Sequence, residues 1–228
     1  MRPYILNIHT ATETAVINLS LGPRTLHTII NADTKQHAAF LHPAINGILK
    51  KEGIIMKDLS AVGITSGPGS YTGIRVGLAA AKGFCFGLKI PLITYNSLEL
   101  LALSTIAFAK DSNALYCPMI DARRMEAYTA IYRFSMKEVE PPSAKILNEN
   151  SFNDYLNVSK IIFSGSGSKK FQHLTKIPDS YFPDINISTK VLTLLSWRKY
   201  QQSDFENLSD ARPLYIKEFY TTPKKTPL

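Results

Sequence analysis

The sequence predicts an α/β protein made of two halves, each a mixed β-sheet covered by helices, with a cleft between them. Two observations lead to this prediction. The first 110 residues carry strand and helix patterns in the order βββαβαβα, and a strand, turn and strand begin again at Leu115. The composition, 45% apolar and 19% charged, is that of an ordinary globular protein. We therefore expect one domain over residues 1–110 and a second over residues 111–228.

Turn residues and apolar spacing define the elements of the first half. Strands are expected at residues 4–8, 15–21 and 24–31, with Gly22-Pro23 as the turn between the last two. Apolar residues at helical spacing then predict a helix over 35–52. The remaining elements are a strand over 59–65, a helix over 75–88, a strand over 91–95 and a helix over 98–110 with Ser97 as its N-cap.

The second half opens with the same pattern of strands. The expected strands are 115–120, 126–134 and 143–147, with residues 121–124 as the first turn. In this repeat, His9-Thr10 of the first half stands where Asp121-Ala122 stands in the second. We therefore place four candidate residues at the cleft between the halves, namely His9, Thr10, Asp121 and Arg123.

The charge and the cysteine content of the sequence limit the kinds of protein that it can be. The net charge of +8 is compatible with RNA contact, but the basic residues are scattered, and a solvated basic surface explains it equally well. Cys85 and Cys117 lack CxxC spacing and are expected to be buried small hydrophobes. No apolar run approaches the roughly 20 residues of a membrane span, and the opening stretch is too short for a secretory signal. We expect a cytoplasmic protein that does not contact a membrane.

The densest motif is the glycine loop, defined here as residues 67–73. Its glycines would let the backbone approach a ligand, and exposed amides at the start of the next helix would suit an anion, phosphate or nucleotide. The loop lacks the Walker A lysine and the dinucleotide-binding spacing, so a tight structural turn explains it equally well. The candidate contacts are Gly67, Pro68, Gly69, Ser70, Tyr71, Thr72 and Gly73, with Ser70 or Thr72 as the helix N-cap.

The helix after the glycine loop lacks a polar face. Between Arg75 and Lys89 only Lys82 is charged, whereas an amphipathic helix on a small domain needs a single apolar stripe. Surplus apolar surface with small residues favours a partner interface, and a core helix beneath the second domain is the alternative. With the preceding helix included, the predicted interface comprises Phe40, Ala44, Gly47, Arg75, Gly77, Ala80, Ala81 and Phe84.

Several segments together resemble one protein family. The stretch GPGSYTGIRVGLAAAKGFCFGLKIPLITYNSLELLA is similar to the TsaB-family signature, GPGSFTGxRxG followed by an Ala/Gly-rich helix and a strand that begins with proline. The segments ILNIHTATETA, QHAAFLHP, DARRMEAY and PLYIK resemble further parts of that family. Residues 135–210 match only loosely.

The resemblance implies both a fold and a role. The fold would be actin-like (ASKHA), with two ribonuclease-H-like halves. The role would be that of a non-catalytic scaffold that binds a TsaD-like catalytic subunit, which transfers a threonylcarbamoyl group to the adenosine next to the anticodon of tRNA. A TsaE-like ATPase and tRNA would join through that complex, and the isolated chain could form a homodimer. No cofactor of its own is implied, and the place for ATP or ADP would be the junction with the partner complex.

Two positions bear on the implied loss of catalysis. The catalytic relative carries HxxxH on its first long helix, but here Leu41 follows His37 by four residues and His42 by five. Five residues turn a helix to about 140°, so the two imidazoles cannot share a metal ion. His9 stands where many relatives have an aspartate, and imidazole is a poor ligand for magnesium. We therefore predict no catalytic or metal-binding residue.

Two rival functions remain open. One is an autonomous enzyme with an actin-like fold, either kinase-like or a glycoprotease-like peptidase. The other is a self-associating binding module. A hydrolase has little support, because Gly165-Ser166-Gly167 lacks the GxSxG pattern and neither cysteine has identifiable catalytic companions.

Overall fold

The first sheet is a five-stranded mixed sheet in a computed structural model that describes residues 3–33, 37–175 and 180–217. Its strands are β1 (Tyr4–His9), β2 (Ala15–Leu21), β3 (Arg24–Asn31), β4 (Leu59–Gly67) and β5 (Leu92–Asn96). They lie in the order β3-β2-β1-β4-β5, with β1, β2 and β3 antiparallel and β1, β4 and β5 parallel. The hairpins expected from the turn residues account for the antiparallel part, and helical crossovers account for the parallel part.

The second sheet repeats this arrangement. Its strands are β6 (Leu115–Asp121), β7 (Glu126–Arg133), β8 (Glu138–Ile146), β9 (Ile161–Ser164) and β10 (Ser180–Tyr181). The order β10-β9-β6-β7-β8 places β6 at the centre, antiparallel to β7 and parallel to β9, as β1 stands to β2 and β4. The prediction of two mixed sheets flanked by helices is confirmed.

Three long helices belong to the first half of the chain. These are α1 (His37–Lys51), α2 (Tyr71–Leu88) and α3 (Ser97–Ala109). Helix α2 begins a turn earlier than predicted because the Ser70 hydroxyl accepts a hydrogen bond from the Gly73 amide at 3.2 Å. The prediction of Ser97 as the α3 N-cap is wrong, since the Asn96 side chain accepts from the Leu98 amide at 2.8 Å.

The helices of the second half are α4 (Asn153–Leu156), α5 (Ser168–Gln172) and α6 (Thr189–Gln201). Helices α1 and α2 cover one face of the first sheet, with Leu41, Ile48 and Leu78 in the shared core. Helix α3 lies between the two sheets, where Leu98 and Leu101 pack with Ile120 of β6. Among the described residues, no helix combines the length and the apolar character needed to cross a membrane.

The chain returns to the first sheet near its C-terminus. Helix α6 packs through Leu192 on the face of the first sheet that carries Ile5 and Ile93. Beyond it, the Glu206 amide donates to the Leu92 carbonyl at 2.8 Å, and the Leu214 amide donates to the Ser66 carbonyl at 2.8 Å. The predicted domain boundary at residue 110 stays a prediction. The contacts above show that α6 and the segment after it pack on the first sheet.

Candidate functional site in the cleft

An open cleft lies between the glycine loop and the loop that follows β6. It has a volume of about 790 Å³. Its walls are built by Ala11, Thr12, Glu13, Gly69, Ser70, Tyr71, Thr72, Ile120, Asp121, Ala122, Arg123, Arg124, Tyr128, Ser166, Lys170 and Lys217. The cleft therefore lies between the two halves of the molecule, as the repeat of strand patterns predicts.

The glycine loop is locked to the end of the first strand. The Ser70 amide donates to the Ala11 carbonyl at 2.7 Å. A Cβ at Gly69 would overlap the Ala11 carbonyl, and a Cβ at Gly73 would overlap the Thr10 carbonyl. These two glycines are thus required for the approach of two chain segments. Contact of the loop with a ligand stays a prediction.

Two of the predicted cleft residues lie behind the cleft wall. The His9 side chain is 1% exposed, with its Nδ1 3.0 Å from the Thr65 hydroxyl and its Nε2 2.7 Å from the Thr12 hydroxyl. Thr10 is buried, and its hydroxyl donates to the Gly73 carbonyl at 2.7 Å. Their placement in the cleft is corrected, because both side chains are buried, that of His9 between Thr65 and Thr12 and that of Thr10 against the Gly73 carbonyl.

The structure places Asp121 and Arg123 on the cleft wall. The Asp121 carboxylate accepts from the Arg123 amide at 2.6 Å and from Lys170 Nζ at 2.6 Å. Arg123 and Arg124 have left-handed φ angles of 67° and 49°. The Ala122 amide donates to the Glu126 carbonyl at 3.1 Å, and this bond closes the turn.

The cleft residues that were not selected from the sequence include three basic ones, Arg124 next to the predicted Arg123, and Lys170 and Lys217 far from it in the chain. Lys170 reaches the cleft from α5, and Lys217 forms a short ion pair with the Glu126 carboxylate. Lys170 was visible only as part of a basic pair, and Lys217 only as the end of the PLYIK segment. Their partners are 49 and 91 residues away, so no local spacing could place them.

The predicted partner surface divides between core and solvent. Ala44, Gly77 and Ala81 are buried, and a Cβ at Gly77 would lie 2.9 Å from Ile64 Cδ1. These three positions are therefore excluded from direct contact with a docked partner. Phe40, Ala80 and Phe84 are half-buried, whereas Gly47 and Arg75 are exposed.

Sequence reasoning did not select the most exposed aromatic residue of α2, Phe86, which is 80% exposed. The sequence feature that could have identified Phe86 is its helical spacing from Ala79 and Gly83, which places all three on one face of α2. Ala79 and Gly83 are also exposed. This face of α2 is separate from the buried face that carries Gly77.

The exposed guanidinium of Arg75 contacts the C-terminal segment. Its Nε donates to the Tyr215 hydroxyl at 2.8 Å, and its central carbon lies 3.9 Å from the centre of the Tyr71 ring. The hydrogen bond to Tyr215 raises the pKa of Arg75 above its usual value. Arg75 therefore joins the glycine loop to a segment that no sequence pattern placed beside it.

The surroundings of the cysteine and histidine side chains bear on whether they could act as nucleophiles or metal ligands. Burial raises the pKa of the Cys85 thiol to about 11 and that of the Cys117 thiol to about 12, so both are protonated at neutral pH. His42 packs edge-on against Phe84, and the side chain of His37 lies outside the described residues. In the described part of the chain, no group of three or more His, Cys, Asp and Glu residues could hold a metal ion.

Comparison with known proteins identifies the family. A family model described as TsaD, tRNA N6-adenosine threonylcarbamoyltransferase, matches residues 25–198, more than half of the chain. The tRNA threonylcarbamoyladenosine biosynthesis protein TsaB of Bacillus subtilis is 35% identical over 130 residues, 57% of this chain and 55% of that protein. The protein of the same name from Escherichia coli is 32% identical over 129 residues, 57% of this chain and 54% of that protein. The chain belongs to the TsaB family.

The solved structures similar to this TsaB-family chain show its fold. A Pseudomonas aeruginosa protein described as similar to peptidase YeaZ superposes with a TM-score of 0.80 at 20% identity, covering 94% of this chain and 100% of that one. YeaZ from the same organism gives a TM-score of 0.78 at 20% identity, covering 93% and 99% of the two chains. The predicted actin-like fold with two ribonuclease-H-like halves is confirmed. The aligned sequence spans only about half the length of the two curated relatives.

Proposed function

We propose that this chain serves the biosynthesis of threonylcarbamoyladenosine in tRNA as a non-catalytic subunit that binds a TsaD-like catalytic protein. The names of the matched family model and of the curated relatives support the pathway. A TsaE-like ATPase and tRNA enter the proposal through the assembled complex. ATP or ADP would lie at the junction with the partner.

The observation that carries the subunit proposal is the exposed stripe of α2, defined as Ala79, Gly83, Phe86 and Gly87. All four are exposed, and they recur at helical spacing on one side of α2. A Cβ at Gly83 or Gly87 would meet nothing within 4 Å, so the backbone there is open to close approach. Phe86, at 80% exposure, supplies the large aromatic anchor that interface centres favour.

The chemistry of the buried groups supports the non-catalytic part of the proposal. His9, at the end of β1, is held between the hydroxyls of Thr65 and Thr12, so its ring does not reach the cleft. The thiols of Cys85 and Cys117 are protonated at neutral pH because burial raises their pKa. Neither type of group is presented as a base or nucleophile in the cleft.

A substitution in the exposed stripe tests the subunit proposal. Phe86→Glu replaces an exposed aromatic anchor with a charge, so the fold should persist while capture of the TsaD-like protein weakens by about 30-fold or more, equivalent to ~2 kcal/mol. The measurement is a binding titration against the TsaD-like protein of the same organism, beside a thermal melt of each variant.

The matched control is Ile146→Glu, which changes a residue of β8 that is 72% exposed on the second sheet. The control should bind as the wild type does. Equal binding by wild type and Phe86→Glu would overturn this interface. Two other outcomes would favour the rival functions. Turnover of ATP or cleavage of proteins by the isolated wild type at ordinary enzyme rates would favour the autonomous enzyme. Loss of self-association in Phe86→Glu, when the wild type itself does not capture the TsaD-like protein, would favour the binding module.

A further inference from the structure

The walls of the cleft carry an excess of basic groups. Four basic side chains line it, Arg123, Arg124, Lys170 and Lys217, against two carboxylates on its walls, Glu13 and Asp121, and a third beside Lys217, that of Glu126. Because the cleft is a concave surface between two low-dielectric halves, such an excess attracts anions more strongly than the same charges on a flat surface would. The scattered charge of the sequence is therefore locally concentrated here.

The lysines and the arginines of the cleft differ in their partners. Lys170 Nζ lies 2.6 Å from the Asp121 carboxylate, and Lys217 is paired with the Glu126 carboxylate. In contrast, neither the Arg123 nor the Arg124 guanidinium has an acidic or hydrogen-bonding partner among the described residues. The unneutralised charge of the cleft thus resides on two adjacent arginines.

The backbone fixes where these arginines stand. Their left-handed φ angles are uncommon for residues other than glycine and asparagine and cost free energy that the surrounding contacts must offset. The Asp121 carboxylate holds the Arg123 amide at 2.6 Å, and the Glu126 amide donates to the Arg123 carbonyl at 3.2 Å. Both guanidinium groups are therefore presented from a preorganised turn on the cleft wall.

On the opposite wall, two backbone amides of the glycine loop are already hydrogen-bonded within the chain. In the glycine loop, the Ser70 amide is bonded to the Ala11 carbonyl and the Gly73 amide to the Ser70 hydroxyl. Backbone amides of that kind would have to be available to wrap a terminal phosphate. The exposed arginine wall of the open cleft suits a phosphodiester chain lying across the surface.

We propose that Arg123 and Arg124 bind the phosphate backbone of RNA in this cleft. The identity of that RNA as tRNA rests on the proposed function. Arginine suits the task because its planar guanidinium can donate two hydrogen bonds to one phosphate. Contacts of this kind position the RNA without reading its bases, and they make binding strongly dependent on salt.

The test uses the full chain with both arginines replaced, Arg123→Asn with Arg124→Asn. Asparagine is tolerated at left-handed φ, so the turn and the fold are retained. The probe is an unmodified tRNA transcript with adenosine next to its anticodon, titrated from low to physiological salt. We expect the double variant to bind at least about tenfold more weakly at low salt, with the slope of log K against log salt smaller by roughly 1.5.

The matched control removes two exposed arginines at the sheet ends away from the cleft, Arg24→Gln with Arg133→Gln. It has the same net charge as the double variant, so a purely non-specific attraction would weaken equally in both. Equal losses in the two variants, or none in the cleft variant, would overturn the proposal. So would binding of ATP but not of the transcript, because the cleft would then belong to a free nucleotide.

A second measurement separates this inference from the proposed function. The cleft variant should capture the TsaD-like protein as the wild type does, since neither arginine lies on the exposed stripe of α2. Failure of the wild type to capture that protein would count against the proposed function alone. Retained RNA affinity in the cleft variant would count against the arginine site alone.

Discussion

The Nε of Arg75 donates a hydrogen bond of 2.8 Å to the hydroxyl of Tyr215, 140 residues further along the chain. Next to it, the Leu214 amide donates to the Ser66 carbonyl at 2.8 Å. A Cβ at Gly67 would lie 2.7 Å from the Leu214 carbonyl oxygen, so this glycine is needed for the segment to approach. The C-terminal segment is thereby seated on the glycine loop.

The first prediction concerns the contact between the C-terminal segment and the glycine loop. Tyr215→Ala removes both the hydroxyl and the ring that lies 5.5 Å from the Tyr71 ring, so the segment should open more often. Native-state hydrogen exchange at the Leu214 amide should become faster, with little change in the melting temperature. The pair is solvent-exposed, so a large loss of global stability is not expected.

Tyr215→Phe is the control for that experiment. It keeps the ring contact and loses the hydrogen bond from Arg75, so its exchange rate should fall between those of the wild type and Tyr215→Ala. Identical exchange at Leu214 in all three proteins would show that the tyrosine does not hold the segment.

The second prediction contrasts two glycines of α2. In Gly77→Ala the new Cβ would overlap the Thr10 hydroxyl and approach Ile64 Cδ1 at 2.9 Å. We expect a loss of about 1–3 kcal/mol in the free energy of unfolding, because the packed core must shift. In Gly83→Ala the Cβ would meet nothing within 4 Å, so the better helix propensity should stabilise the protein by about 0.5–1 kcal/mol.

Denaturant unfolding of both variants beside the wild type measures the difference. An equal or greater stability of Gly77→Ala would show that this face of α2 is not packed as described. A clear loss of stability in Gly83→Ala would show that its surroundings are more crowded than the structure indicates.

The third prediction concerns a buried amide in the first sheet. Asn7 is fully buried, and its Nδ2 donates to the Asn18 side chain at 3.1 Å and to the Ser196 hydroxyl of α6 at 3.2 Å. The Tyr95 hydroxyl donates to Asn7 Oδ1 at 2.9 Å. Asn7→Ala should lower the free energy of unfolding by about 1–3 kcal/mol, since it leaves buried partners unsatisfied.

Urea unfolding provides the measurement, and Asn113→Ala provides the comparison because Asn113 is exposed. The exposed substitution should change stability by less than about 0.5 kcal/mol. Similar midpoints for the two variants would mean that the amide does not couple α6 to the sheet.

The strands of the first half could be predicted because their determinants are local. Apolar stretches and the Gly22-Pro23 turn predict β2 and β3 with the bounds that the structure has, 15–21 and 24–31. The N-terminus of α3 was less certain because Asn96 and Ser97 are both good N-caps, and only the side-chain geometry selects Asn96. Local chemistry thus gives the existence of an element more securely than its limits.

The site was less predictable because its contacts are distant in the chain. A helix without a polar face has two physical explanations, a partner or the chain's own core, and helical spacing does not choose between them. The structure shows that one face of α2 belongs to the core, since Gly77 faces Thr10, whereas Phe86 faces solvent, and a partner on that second face stays a proposal. The pairing of Lys170 with Asp121 likewise depends on how β6 and α5 pack, which no motif encodes.

The return of the chain to the first sheet has a consequence for its synthesis on the ribosome. The nascent strands β1, β4 and β5 leave the exit tunnel with one face, including Ile5, Ile93 and Tyr95, covered only in part by Leu100 of α3, because α6 comes about a hundred residues later. At roughly 5–20 residues per second that interval lasts on the order of 5–20 seconds. During those seconds the remaining apolar surface is of the kind that chaperones shield from aggregation. The glycine loop acquires its Leu214 partner only afterwards.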